Sequence, residues 1–249
     1  MNYNTFNNEH RSPEQDKEAG LRPPQRVKYL LLSLSMQIRP PEIDKLRGAL
    51  IRMTQGDSYY HNHQDKGFSY RYPLVQYKRI GGHGAVLVIG EAIETVGKLL
   101  NATSPTLQIG ETTVPYEIQR VTPGNAIVQV WNHRFAYHLR RWLPLNKANY
   151  EEYQQMTSMA EKIRFLENIM VGNVLSFCKG VGVELSDRVE CVITQLSEPR
   201  ITHYKNTALM EFDAEMECNV SIPDYFGIGK GVSHGHGTCV KKREKRENI

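Results

Sequence analysis

The segment that most restricts folding lies near the C-terminus, where residues 227–237 read Gly-Ile-Gly-Lys-Gly-Val-Ser-His-Gly-His-Gly. Glycine loses more backbone freedom on folding than any other residue, so five glycines in eleven positions form neither a stable helix nor a stable strand. We expect a loop with left-handed backbone dihedrals. Exposed N–H donors beside Lys230 would suit a phosphate, although an ordinary surface loop fits the same letters.

Two common phosphate-binding motifs do not describe this segment. The dinucleotide fingerprint G-x-G-x-x-G has a different spacing and belongs to a βαβ unit, which does not follow here. A P-loop requires G-K-[ST], and no such triplet occurs. The function of the loop must therefore be inferred together with the rest of the chain.

Composition indicates a globular protein. The 249 residues are 40% hydrophobic and 23% charged, which suits one large domain or two of ordinary size. A net charge of +4 permits an anionic partner without requiring one. The longest apolar runs are too short to span a bilayer, and no signal peptide is recognisable. Four scattered cysteines without a C-x-x-C pair are expected to be buried free thiols in a soluble, cytoplasmic protein.

Hydrophobic spacing predicts a first domain over residues 26–122, after a polar segment, residues 1–25, that we expect to be disordered. Apolar and polar residues alternate between Leu30 and Ile38, which is the period of a strand. The predicted elements are a strand 30–38, a helix 43–53, strands 67–80 and 85–89, a helix 91–100 and a strand 106–121. This order is typical of the ferredoxin-like, or RRM-like, βαββαβ fold.

A second domain of the same type is predicted for residues 123–241, with the boundary at Thr-Pro-Gly-Asn, residues 122–125. Its predicted elements are a strand 126–130, an aromatic and basic run 131–142, a helix 151–179, strands 188–204 and 209–222, and a strand from 238. Glu211–Glu217 are expected to present a solvated carboxylate face on the second of these strands. The chain is thus predicted to be α+β, with two tandem ferredoxin-like domains. The glycine segment replaces the last helix of the second domain, and residues 242–249 form a basic tail.

Two histidines, His61 and His63, stand out because they lie in a polar loop between the first helix and the next strand. An imidazole near neutral pH can take up or release a proton, as general acid–base chemistry requires. Tyr70 and Tyr72 follow, placed to hydrogen-bond a phosphate or orient a base. Surface histidines without a role also fit this spacing. A metal site of His61, His63 and Asp65 is a further alternative, but no other ligand cluster supports it.

Several segments are informative in combination. They are residues 60–63, 68–78, 209–212 and 219–225, and the two G-h-G triplets 227–229 and 235–237, which together cover most of residues 27–240. This combination resembles the RAMP superfamily of CRISPR-associated proteins, and within it the repeat-processing endoribonucleases of the "Cas six" family. One departure is His236, because the middle position of the second triplet is commonly apolar.

The resemblance implies an enzyme of CRISPR RNA maturation, and hence of antiviral defence, that cleaves precursor RNA within its repeats. The 2′-hydroxyl of one nucleotide would attack the adjacent phosphate, giving a 2′,3′-cyclic phosphate and a 5′-hydroxyl, with no metal or other cofactor. His63 is the first expected catalytic residue, with His61 as its partner or substitute and Tyr70 assisting. Lys78 or Arg71 would neutralise charge developing on the phosphorane.

The resemblance also implies that precursor and mature guide RNA are held through their phosphates, with an affinity that falls as salt is added. The expected RNA-binding residues are Gly227, Gly229, Lys230, Ser233, His234, Gly235, Gly237, Arg134, Arg140, Arg141 and Lys78. Trp131, Tyr137 and Trp142 would either stack on unpaired bases or pack in the core.

Two other functions remain open. A RAMP subunit that binds RNA in an effector complex without cutting it would not need two histidines in one loop. A metal-dependent hydrolase would use the His61, His63 and Asp65 set and would lose its activity in EDTA. Other CRISPR effector subunits and a second copy of the chain are candidate partners, whereas no membrane partner is expected.

Overall fold

The computed structural model describes residues 25–61, 72–101, 104–204 and 207–243. Nearly all of the predicted disordered segment and most of the basic tail lie outside these residues. The first half contains β1 (Arg26–Gln37), α1 (Ile43–Met53), α2 (Ser58–His61), β2 (Val75–Ile80), β3 (His83–Ile89), α3 (Gly97–Leu100), β4 (Thr106–Ile109), β5 (Thr112–Pro115) and β6 (Ile118–Ile127). Its main sheet has the antiparallel order β2-β3-β1-β6.

The second half repeats this arrangement. It contains β7 (Val130–Trp142), α4 (Lys147–Gln155), α5 (Met159–Gly180), β8 (Cys191–Leu196), β9 (Arg200–Tyr204), β10 (Thr207–Val220) and β11 (Thr238–Lys241). Its sheet has the antiparallel order β11-β7-β10-β8, with β9 paired to β10. Each sheet therefore places its first strand beside its third and fourth strands, which is the predicted tandem ferredoxin-like fold. Only a 3₁₀ turn, Val232–His234, stands where the last helix would be.

The alternation in β1 explains how the two halves pack. Leu32, Leu34 and Met36 are buried on one face, where they contact the apolar stripe of α1. The opposite face carries Val27, which belongs to the same buried cluster as the core of the second half. Tyr29, also on that face, meets Phe226 edge-on with ring centroids 5.2 Å apart. The first sheet is thus apolar on both faces because the second half covers one of them.

Several predicted elements are divided in the structure. The helix expected at 151–179 is two helices, because α5 starts anew where the backbone N–H of Ser158 donates to the Glu161 carboxylate at 3.4 Å. The strand expected at 188–204 is interrupted between β8 and β9, around Pro199. The strand expected at 106–121 becomes the β4–β5 hairpin and β6, with a turn at Gly110, whose φ is +65°.

The segment expected to form the domain boundary, residues 122–125, lies inside β6 in the structure. Pro123 pairs with Leu30 and Gly124 with Tyr29. Proline is tolerated because β6 is an edge strand. Glycine is needed at 124 because a Cβ there would lie 2.0 Å from the Tyr29 ring. The two sheets are joined instead by Val128 and the residue after it, between β6 and β7.

Two expectations drawn from composition can be compared with the structure directly. All four cysteines are free and buried, as predicted. None of the helices that the structure describes is long and apolar enough to cross a membrane.

Candidate functional site

Residues 227–237, the glycine loop, are held by both halves of the protein. From the first half, Gln76 accepts a hydrogen bond from the Gly227 N–H at 2.9 Å, and the Tyr72 hydroxyl donates to the Gly227 carbonyl at 2.9 Å. From the second half, the Arg141 carbonyl accepts from the Gly237 N–H at 2.9 Å. Within the loop, Ile228 donates to Gly237 at 2.7 Å, which closes its base. The loop is therefore fixed rather than free.

The glycines allow close approach as well as left-handed dihedrals. Gly237 has a φ of +61°, and a Cβ there would lie 2.0 Å from the Ile228 carbonyl oxygen. Gly235 has a φ of +77°, and its Cβ would lie 2.6 Å from Ile43 of α1. A larger residue at either position would displace backbone or core side chains.

Gly229–Gly231, the loop apex, differ from the rest of the loop. Gly229 and Gly231 have φ values of +93° and +71°, and Lys230 between them is exposed. Within the part of the chain that the structure describes, the three backbone N–H groups make no hydrogen bond. Consecutive free N–H groups in such a bend form a concave donor surface that suits an anion. The predicted exposed donors are therefore confined to the apex.

The side chain of His234 joins the loop to α1. Its Nδ1 lies 2.5 Å from Oδ1 of Asp44, and its ring meets Tyr204 edge-on with centroids 5.1 Å apart. The Nζ of Lys230 lies 5.7 Å from the centre of the same tyrosine ring. Burial raises the pKa of Asp44, but the bond to His234 and the charges of His236 and Arg47 outweigh it, so that the pKa is lowered overall.

His236 is buried, and so is the side chain of Glu211 next to it. Glu211 was expected on a solvated face of its strand, so this expectation was wrong. Nδ1 of His236 lies 3.1 Å from Oε2 of Glu211, within ion-pair distance, but the angle does not satisfy that of a hydrogen bond. Arg141 reaches the same oxygen at 3.1 Å, and Arg200 reaches the other at 3.3 Å. Glu211 is only 5% exposed. The middle position of the second G-h-G triplet, commonly apolar, is therefore occupied here by a histidine that pairs with a buried carboxylate.

Lys78, which was expected to contact RNA, has a fully buried side chain in the structure. Its Nζ lies 3.4 Å from the Val232 carbonyl and 3.4 Å from the Thr238 hydroxyl. No carboxylate pairs with it among the described residues, and burial lowers its pKa from 10.5 to about 7. Lys78 therefore contacts the buried side of the glycine loop, at Val232, and the residue that follows the loop, Thr238.

Of the predicted catalytic residues, only His61 can be placed, since His63 and Tyr70 lie outside the described residues. His61 ends α2 and is exposed. Its carbonyl accepts a hydrogen bond from Arg47 of α1 at 2.8 Å. Arg47 lies three residues after Asp44 on α1. This helix therefore contacts both the glycine loop and His61, the first residue of the histidine segment (residues 61–63).

The remaining predicted RNA-binding residues differ in their exposure. Arg140 is exposed and makes no ion pair within the described ranges, whereas exposed Arg134 pairs with Glu190 at 2.7 Å. Arg141 pairs with Glu211 and is only partly exposed, and Ser233 is buried, so both are less accessible than expected. Among the aromatic residues expected to stack or pack, Tyr137 and Trp142 are core residues and Trp131 is partly exposed.

Sequence inspection missed the residues that hold the loop in place. They are Asp44, Gln76 and Tyr204, together with Glu211. Each belongs to a helix or strand whose prediction rested on its apolar positions, and a polar residue on such an element is ordinarily solvated. The described residues contain no group of three or more His, Cys, Asp and Glu side chains placed to hold a metal ion.

Comparisons with known proteins agree on one family. Residues 25–126 match the family of Cas6b N-terminal domains, and residues 129–242 match the family of Cas6b C-terminal domains. A crystal structure of Cas6b superposes with a TM-score of 0.80 at 26% identity, covering 88% of this chain and 100% of that one. A second, the CRISPR RNA processing endoribonuclease Cas6b, has a TM-score of 0.67 at 24% identity over the same shares, which is evidence for the fold alone. An uncharacterized protein of Methanocaldococcus jannaschii is 31% identical over 144 residues, 55% of this chain and 97% of that protein.

Proposed function

Because the chain belongs to the Cas6b family, we propose that it is an endoribonuclease that cleaves CRISPR precursor RNA within the repeats. The attacking group is the 2′-hydroxyl of the nucleotide before the cut. The products are a 2′,3′-cyclic phosphate and a 5′-hydroxyl, and no metal takes part. A relative of similar fold is a CRISPR RNA processing endoribonuclease, which supports the proposal.

The loop apex carries the RNA-binding part of the proposal. Three free N–H groups and the exposed Lys230 present donors and positive charge at one place on the surface. Gly229, His234, Arg140 and Arg134 extend the proposed surface. The buried glycines 227, 235 and 237 act indirectly, because they let the loop pack tightly enough to hold the apex in position.

The histidine segment carries the proposed chemistry. His63 moves the proton of the 2′-hydroxyl, with His61 as its partner or substitute and Tyr70 assisting. Arg47 ties the His61 backbone to α1, and Asp44 on the same helix contacts the glycine loop. This arrangement supports a single reaction centre between the two segments.

A cleavage assay tests the proposal. Repeat RNA from the same genome is incubated with the protein in EDTA, with and without a 2′-deoxy nucleotide at the cut. We expect cleavage of the all-ribose RNA only, and we expect the double variant His61→Ala, His63→Ala to bind without cutting. Cleavage that requires added metal would contradict the mechanism. Binding of the repeat RNA without cleavage would instead favour a non-catalytic RAMP subunit.

The proposed partners and cellular location of the protein follow from the same reaction. Its partners are precursor and mature guide RNA in the cytoplasm, with other CRISPR effector subunits or a second copy of the chain as further candidates. Light scattering of the protein with and without repeat RNA distinguishes a monomer from a homodimer.

A further inference from the structure

Asp44 and His234 form a pair that the proposed chemistry has not used. The carboxylate lies on the first turn of α1 and is 62% exposed, whereas the imidazole is 14% exposed. Because Nδ1 of His234 contacts Asp44, this nitrogen carries the proton of the neutral ring, and Nε2 is the atom left for another partner. Nε2 makes no hydrogen bond to any residue that the structure describes.

The pair is built in the way that orients an acid–base imidazole. A carboxylate on one ring nitrogen fixes the tautomer and the ring direction, while the other nitrogen faces the reacting group. Tyr204 holds the ring from the side, edge-on at 5.1 Å. The neighbouring Gly235 has a φ of +77° and packs against Ile43, so the backbone next to His234 is also held against α1. His234 therefore has little freedom to turn away.

The pair lies beside both parts of the proposed reaction centre. Lys230 of the loop apex shares the Tyr204 ring with His234. On the other side, Arg47 lies one helical turn from Asp44 and holds the His61 carbonyl at 2.8 Å. An RNA phosphate at the apex would thus have the Asp44–His234 pair on one side and the start of the histidine segment on the other.

We propose that His234, oriented by Asp44, is the proton donor to the leaving 5′-oxygen when the RNA is cleaved. This inference rests on the proposed function. As the bond between the 2′-oxygen and phosphorus forms and the bond between phosphorus and the 5′-oxygen breaks, a histidine of the 61–63 segment takes the 2′-hydroxyl proton. His234 enters this step as the imidazolium, its Nε2 proton passes to the 5′-oxygen, and the neutral ring keeps its remaining proton on Nδ1, toward Asp44. Asp44 is a positioning residue, because it acts through His234.

The charged surroundings suit this role. Asp44 of α1 and Tyr204 of β9 contact His234 directly. Lys230 lies over the same tyrosine ring, the charges of Arg47 and His236 act on Asp44, and Lys78 of β2 contacts the Val232 carbonyl of the loop. His236 is already occupied by Glu211, so it does not compete for the position. Asp44 is the carboxylate that contacts the ring and fixes its orientation.

The test uses a leaving group that needs no proton. Repeat RNA with sulfur in place of the bridging 5′-oxygen at the cut releases a thiolate, which leaves without a general acid. His234→Gln should slow single-turnover cleavage of ordinary RNA about 100-fold or more and cut the sulfur-containing RNA at nearly the wild-type rate. His133→Gln is the matched control, because His133 is an exposed histidine whose ring contacts Trp131 and Phe135 and no residue of the glycine loop among the described residues.

The outcomes separate this inference from the proposed function. If the wild type cuts and His234→Gln slows both RNAs equally, or neither, His234 is not the proton donor. If His234→Gln also binds RNA more weakly, Asp44→Asn decides, because it keeps the imidazole and should show a smaller loss confined to ordinary RNA. An equal loss on both RNAs in Asp44→Asn would overturn the inference. A wild type that binds repeat RNA without cutting it would overturn the proposed function, and this inference with it.

Discussion

The hydroxyl of Tyr72 donates to the carbonyl of Gly227 at 2.9 Å, which joins two residues 155 positions apart in the chain. The tyrosine ring packs edge-on against Phe177 of α5, with centroids 5.7 Å apart. Burial raises the pKa of Tyr72, so its hydroxyl stays protonated and remains a donor throughout the physiological range. The first residue of the glycine loop is thereby attached to the opposite half of the protein.

Removing this hydroxyl should weaken the protein measurably. Tyr72→Phe leaves the Gly227 carbonyl without its donor, which we expect to lower the free energy of unfolding by roughly 1 to 2 kcal/mol in urea titrations. The matched control is Tyr116→Phe, whose hydroxyl contacts the weak acceptor Sδ of Met53 at 3.3 Å. If both variants lose the same free energy of unfolding, the hydrogen bond from Tyr72 to Gly227 contributes no more to stability than the weak contact of Tyr116.

Alanine at Gly237 should be far more damaging than alanine at Gly56. Both glycines have positive φ, +61° and +72°, but only at Gly237 would a Cβ collide, 2.0 Å from the Ile228 oxygen. Gly56→Ala carries only the backbone penalty of roughly 1 to 2 kcal/mol, whereas Gly237→Ala should cost more than about 4 kcal/mol. Thermal unfolding compares them, and similar melting temperatures would contradict the packing of the loop described above.

The buried amine of Lys78 should make stability depend on pH. Burial lowers its pKa from 10.5 to about 7, so between those values the unfolded chain binds a proton that the folded chain does not. Stability contributed by this site therefore falls as the pH is lowered from about 10.5 to about 7, and changes little below that. Lys78→Met removes this titration, so its stability relative to wild type should rise as the pH falls from 9.5 to 7, on the order of 1 kcal/mol or more.

The control for that experiment is Lys147→Met, since Lys147 is exposed at the start of α4. Its stability difference from wild type should stay flat over the same range of pH. A flat difference for Lys78→Met as well would mean that the buried amine is solvated in solution.

The contribution of Glu211 to the free energy of unfolding should be largest at neutral pH and smallest at acidic pH. Burial raises the pKa of its carboxyl, but the contact with His236 and the charges of Arg141 and Arg200 lower it overall. A lowered folded pKa adds stability that is present above the unfolded pKa and is lost as pH falls through the folded pKa. Glu211→Gln should therefore destabilise the protein by roughly 3 kcal/mol at pH 7, with the difference narrowing below about pH 4.5.

Urea midpoints measured from pH 7 to pH 3.5 test this expectation. Glu217→Gln is the control, because Glu217 lies on the same face of β10 and makes no ion pair among the described residues. If the two variants lose equal stability at pH 7, the cluster around Glu211 does not hold the loop.

The fold was predictable because its pattern is local. The alternation in β1 and the helical spacing of α1 each follow from neighbouring residues, and their order is that of the ferredoxin-like fold. The division of the long helix was also present in the sequence, since Ser158 and Glu161 have the spacing of a capping box.

The loop contacts were not predictable, because they depend on residues far apart in the sequence. Alternation placed Glu211 on a face that ordinarily meets water, but Glu211 is buried against His236 of the glycine loop. Lys78, expected to contact RNA, is buried against Val232 of the same loop. Nothing in the spacing of α1 connects Asp44 with His234, which lies 190 positions later. His63 and Tyr70 lie outside the described residues, so their predicted roles stay predictions.

The glycine loop is held by hydrogen bonds at Gly227, Ile228 and Gly237, while the backbone N–H groups of Gly229–Gly231 make no hydrogen bond to any described residue. A change of length or side chain at the pinned positions disturbs the packing of both halves. A change at the apex alters only what the loop presents to its ligand. The apex is thus the part of the loop whose residues can change without disturbing the packing that joins the two halves.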